Sequence, residues 1–239
     1  AVKSLGLDEM YEFKNNEKII DYIINDKTKL IDNNISDFTD QVSSDSPAPG
    51  GGSVSALAAS LSAALISMVA NLSYSKKEFK KNQDNINKIA VNAQKLKNDF
   101  LFLIDRDTEA FDDLMSSFRL PKKSDNEIIY RDKKILEMSK LVTEVPLETL
   151  SKSLAAIDLV FDVLGIGNKN CISDAAVAAE MAYSSAYGAY YNVQINLLDL
   201  KDEKAYCKRI NKQAKSIIVS MDDKILKIRK LVSKDLNYE

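Results

Sequence analysis

Asp107 is the side chain in this sequence whose setting most suggests acid–base chemistry. At helical spacing its neighbours are Leu103, Ile104, Ala110, Phe111 and Leu114, an apolar face. A carboxylate there is costly unless it is paired or used, and burial would raise its pKa toward a useful value. A buried salt bridge, or a hydrogen bond to a helix terminus, accounts for the same placement equally well. Asp105 falls on the wetter side, with Thr108, Glu109 and Asp112. The chain has no histidine, which excludes His-based triads, His general bases and His-ligated metal. Proton transfer would fall to Asp, Glu, Lys, Tyr or Cys.

A second candidate is the turn Gly50-Gly51-Gly52-Ser53, preceded by Pro47 and Pro49. Glycines let a ligand approach backbone N–H groups. Ser53 would cap the following helix, whose positive end favours an anion. The competing reading is a flexible linker, but prolines brace the turn and an apolar helix starts at once.

A third group lies further on. Asp174 reads most simply as an N-terminal cap, with Ser173 beside it. Asn192 and Asn196, four residues apart on an otherwise apolar run, both need partners. They could bind each other, a neighbouring helix or a ligand amide. Tyr183, Tyr187, Tyr190 and Tyr191 at helical spacing read as core. Arg119 and Lys122 flank Leu120-Pro121; they could bind an anion, or form a solvated corner.

These groups must be positioned by helices. No charged residue occurs between Asp45 and Lys76, in a chain that is 28% charged. The run Val54–Asn71 is rich in Ala and Ser, which predicts a buried central helix with no solvated face. A membrane span is disfavoured by its serines and its small residues. Ser173–Leu198 is a second weakly charged helix whose small residues invite close packing on the first. Amphipathic helices are predicted over Asn16–Ile24, Ser36–Val42, Asn82–Phe118 and Glu203–Val232. Ser124 or Asp125 with Glu127 predicts a helix start. Pro146 predicts a kink or junction, and Gly165-Ile166-Gly167-Asn168 a stop. No strand pattern is present, so the fold class is all-α, a multihelical up-and-down bundle with two buried small-residue-rich helices.

The balance of 33 basic and 35 acidic residues does not suggest nucleic acid. Cys171 and Cys207 have no metal spacing and read as reduced thiols of a cytoplasmic protein.

Taken in order, several segments resemble the formiminotetrahydrofolate cyclodeaminases and the methenyltetrahydrofolate cyclohydrolases of the same fold. They are Ser46–Val54, Met68–Leu72, Asp105–Phe111, Arg119–Lys122, Val145–Leu147, Asn170–Ala179 and Gly188–Leu197. Any one is weak; the ordered set is specific and covers residues 36–232. Residues 1–35 resemble the linker to a formiminotransferase domain in bifunctional members, leaving 36–235 as the cyclodeaminase-like domain.

The resemblance implies a homodimer or larger assembly. It implies conversion of 5-formimidoyltetrahydrofolate to 5,10-methenyltetrahydrofolate plus ammonia, a step of one-carbon metabolism and histidine degradation. Asp107 matches the family's proposed catalytic carboxylate. Gly50, Gly51, Gly52, Ser53, Arg119, Lys122, Asp174, Asn192 and Asn196 are the expected substrate-binding positions. No cofactor or metal is implied beyond the tetrahydrofolate substrate, with or without polyglutamate. A formiminotransferase is the expected partner; nucleic acid and membrane are not. The alternatives are a cyclohydrolase, and a non-enzymatic folate-binding or assembly module.

Overall fold

The computed structural model describes residues 29–236. The expected helix at Asn16–Ile24, and most of the linker-like stretch 1–35, lie outside the described residues. The chain divides into two compact units, Ala1–Thr39 and Asp40–Glu239. In the first lies a short 3-10 turn, Leu30–Asp32. It leads to α1, Ile35–Val42, which continues into the second unit. The Asn34 side chain starts α1: it accepts from the Asp37 N–H at 2.9 Å and donates to the Asp37 carboxylate at 2.7 Å.

The second unit is built from five long helices. They are α2 (Gly51–Tyr74), α3 (Gln83–Phe118), α4 (Asp125–Ile166), α5 (Ile172–Leu198) and α6 (Lys204–Asp235). No strand occurs among the described residues. Helix α2 packs on α3, α5 and α4, and α5 packs in turn on α4 and α6. The two small-residue helices are thus the centre of the bundle.

Small side chains bring α2 and α5 close. A Cβ at Gly188 would overlap the Ser55 hydroxyl, so glycine lets the two helices approach here without moving that side chain. The serines that interrupt α2 are each satisfied. Ser62 donates to the Ala178 carbonyl of α5 at 2.7 Å, Ser60 donates to Lys97 O of α3 at 3.3 Å, and Ser67 accepts from Gln94 at 2.9 Å. Between the helices lie fully buried Ile66, Phe100, Leu103, Leu150 and Ile157, each worth about 1.5–3 kcal/mol of burial.

Helix α2 is not buried all round. Val54, Leu61, Met68 and Leu72 are exposed along one side. The expected absence of a solvated face is therefore corrected: α2 has an outward face, and that face is uncharged and largely apolar. By length and composition α2 is also the described helix apolar enough to cross a membrane, yet 61% of its most apolar window is buried inside the bundle.

Helix α4 begins with a capping box, in which the Ser124 hydroxyl accepts from the Glu127 N–H and the Glu127 carboxylate accepts from the Ser124 N–H. It runs through Pro146 as one helix, so the proline marks no junction. The reason lies on α5. Pro146 has no N–H for the Val142 carbonyl four residues back. The Asn196 amide donates to that carbonyl at 2.6 Å instead.

Candidate active site

The site is assembled where the N-terminus of α2 meets the middle of α3. Gly50, not Ser53, is the N-cap of α2, and it offers no side-chain cap. Ser53 lies one turn inside and turns toward α3. Its hydroxyl lies 3.1 Å from the Asp107 carboxylate, 3.1 Å from Ile104 O and 3.3 Å from the Thr108 hydroxyl. The Ser53 backbone N–H also bonds the Asp107 carboxylate. The anion that meets the start of α2 is therefore the protein's own Asp107.

Gly52 makes this possible. A Cβ at position 52 would overlap the carboxylate of Asp107. Burial raises the Asp107 pKa above its ordinary value, and the Ser53 hydroxyl and N–H oppose that rise. The group is thus a carboxyl whose pKa desolvation raises and which two donors hold in one pose, a suitable combination for proton transfer.

Asp107 forms part of the wall of a cavity of about 530 Å³. Gly50, Gly51 and Gly52 form the glycine side, with Pro47 and Ala48 before them. Helix α3 adds Phe111, Leu114, Met115 and Phe118, and α4 adds Ile135, Ser139 and Val142. Helix α5 adds Asn192, Asn196 and Asp199. The Asn192 amide donates to Gly188 O at 2.8 Å, and Gly51 lies so close that a Cβ there would be 3.2 Å from the Asn192 nitrogen.

The structure therefore brings together Asp107, the three glycines, Ser53, Asn192 and Asn196. Arg119 and Lys122 do not line the cavity; both lie exposed at the corner after α3. Asp174 is in the first turn of α5, whose N-cap is Cys171, so it is not the cap expected from the sequence. Eighteen residues separate it from Asn192, about 27 Å along the helix. Tyr183 and Tyr187 donate to Asp222 of α6 at 2.9 and 2.8 Å, which makes them packing groups between α5 and α6.

Sequence reasoning missed Ser139, Val142 and Asp199. Asp199 is the C-cap of α5 and completes the spacing Asn192, Asn196, Asp199, i, i+4, i+7. That spacing is readable in the sequence, and was the available signal. No cluster of three metal-ligating His, Cys, Asp or Glu side chains occurs among the described residues.

Comparison with known proteins agrees with this architecture. The chain is 35% identical over 184 residues to a methenyltetrahydrofolate cyclohydrolase from Methylorubrum extorquens, covering 77% of this chain and 88% of that protein. It is 34% identical over 209 residues to the formimidoyltransferase-cyclodeaminase of Mus musculus, covering 85% of this chain. The chain spans only 38% of that longer relative. Among solved structures, formiminotetrahydrofolate cyclodeaminase from Thermotoga maritima shares the fold, with a TM-score of 0.70 at 24% identity, over 86% of this chain and 96% of that one. Residues 34–216 match the family described as formiminotransferase-cyclodeaminase. On that match and these relatives, the chain belongs to the formiminotransferase-cyclodeaminase family.

Proposed function

We propose that this protein is a folate cyclodeaminase, with Asp107 as its acid–base group. The observation that carries this reading is the Asp107 carboxylate itself, half-buried, held by Ser53, and set in the wall of a cavity beside Gly52. The substrate is 5-formimidoyltetrahydrofolate. N10 attacks the formimino carbon, and Asp107 takes the N10 proton. The tetrahedral intermediate then receives that proton on its amino nitrogen, the C–N bond breaks, and ammonia leaves. The product is 5,10-methenyltetrahydrofolate, and Asp107 returns to its starting state. One group that alternately accepts and gives a proton fits a carboxyl with a raised pKa.

A cyclohydrolase is the second reading, favoured by the Methylorubrum extorquens relative, most of whose length the chain covers. There Asp107 would take a proton from water as it adds to the methenyl carbon and return it to N5 as that C–N bond breaks, while the remaining hydroxyl proton leaves to solvent, giving the 10-formyl compound. Assay of the purified protein on both substrates separates the two. Folate binding without turnover of either would indicate a binding module instead.

A second copy of the chain is the occupant inferred for the outward face of α2. Val54, Leu61 and Met68 recur every seven residues there, and no charge breaks the row. Helix α5, packed beside it, exposes Val177, Tyr191 and Ile195. A formiminotransferase remains the proposed source of the substrate.

A further inference from the structure

We propose that Asp199 reads the pterin end of the substrate. Its carboxylate accepts the two parallel N–H donors of the pyrimidine edge, N3–H and the 2-amino group, and so sets which way round the folate lies. The proposal rests on the folate reading above and adds the element that fixes orientation.

Charge is the first argument. The cavity is lined by two carboxylates, Asp107 and Asp199, and by no lysine or arginine. A ligand portion held in such a cavity is rich in N–H donors and carries no negative charge. The pterin meets that description, and the glutamyl tail does not. The tail carboxylates therefore lie outside, and the helix N-terminus that might have received one already holds Asp107.

Spacing is the second. Asn192 lies beside Gly51, next to the residue that touches Asp107. Asp199 is seven residues further along the same face of α5, about 10 Å away. That is the span of a bicyclic ring with a hydrogen bond at each end. It places the reacting N5 side at Asp107 and the pyrimidine edge at Asp199. Between them Asn192 and Asn196 each have one amide N–H engaged, with Gly188 O and Val142 O. Their amide oxygens remain as acceptors along the ring edge.

The position of Asp199 is the third. Its side chain forms no hydrogen bond or ion pair with the described residues, and it stands at the C-terminus of α5. The negative end of the helix dipole makes a carboxylate unfavourable there. Asp199 is exposed on the cavity side, so its oxygens are open to a donor that arrives with the ligand.

The test is calorimetric titration of the full chain with 5-formyltetrahydrofolate and with its 2-desamino analogue. Wild type should prefer the amino compound by roughly ten- to hundredfold. Asp199→Asn should lose most of that preference, bind the analogue as wild type does, and melt no lower than wild type. If Asp199→Asn keeps the preference, the proposal is overturned. Equal binding of both compounds by wild type also overturns it, but leaves the folate reading standing. Binding of neither compound by wild type overturns the folate reading, and this proposal with it.

Discussion

Gly52 and the Asp107 carboxylate are in direct contact across the α2–α3 boundary, so closely that no side chain fits between them. Gly52→Ala must therefore move either the carboxylate or the start of α2. Turnover should fall on the order of a hundredfold, since about 1 Å of misplacement is enough for that. Gly50→Ala is the control. Its Cβ would meet only Pro47 O at 3.5 Å, an ordinary contact, and its backbone is extended. Steady-state kcat for the two variants checks the contrast, and equal losses would refute it.

Asp107→Asn should lower kcat by about 10²–10⁴ while leaving the melting temperature unchanged or higher. The sign of the pH effect follows from the raised pKa. The folded state holds the proton more tightly than the unfolded chain, so the burial penalty is absent below the ordinary value of 3.8 and grows as pH rises through the folded value. The melting-temperature advantage of Asp107→Asn should thus be largest at neutral pH and shrink on acidification. Melts of both proteins across that range measure it.

Ser53→Ala removes a donor that holds the Asp107 pKa down. The carboxyl should titrate at still higher pH, and the acid limb of the pH–rate profile should move upward. Loss of the buried hydroxyl should also cost about 1 kcal/mol of stability. An unmoved profile would show that Ser53 does not tune this group.

Gly188→Ala should destabilise the bundle by about 1–3 kcal/mol through overlap with the Ser55 hydroxyl. The same change in a Ser55→Ala background should cost clearly less, because the overlapping atom is gone. Denaturant melts of the four proteins complete the cycle.

Leu61→Lys puts a charge in the middle of the outward α2 face, where Leu61 is 48% exposed. Light scattering should show wild type as a dimer and the variant as a monomer with unchanged helix content. A monomeric wild type would remove the second copy from the account.

Much of this architecture is legible in the sequence because the patterns are local. The uncharged run of α2, the capping box at Ser124 and Glu127, and the apolar neighbours of Asp107 are each read within one helix. What escapes the sequence depends on the spatial meeting of distant segments. Ser53 looks like a cap until α3 supplies Asp107 as its partner. Arg119 and Lys122 follow Phe118 by one and four residues, and Phe118 lines the cavity, yet the corner carries them away from it. Asp199 is missed because the two asparagines before it look like a pair, when they are the first two members of a row of three.

The bond from Asn196 to the Val142 carbonyl has an evolutionary consequence. Pro146 and Asn196 lie on different helices but are conditional on each other. While the proline is present, losing the asparagine leaves the Val142 carbonyl without its partner. Once the proline has become an ordinary residue, its N–H closes the helix and the asparagine is released from that duty. Substitutions at the two positions are therefore tolerated in one order, proline first. A lineage that keeps the proline keeps one wall of the cavity fixed to the other.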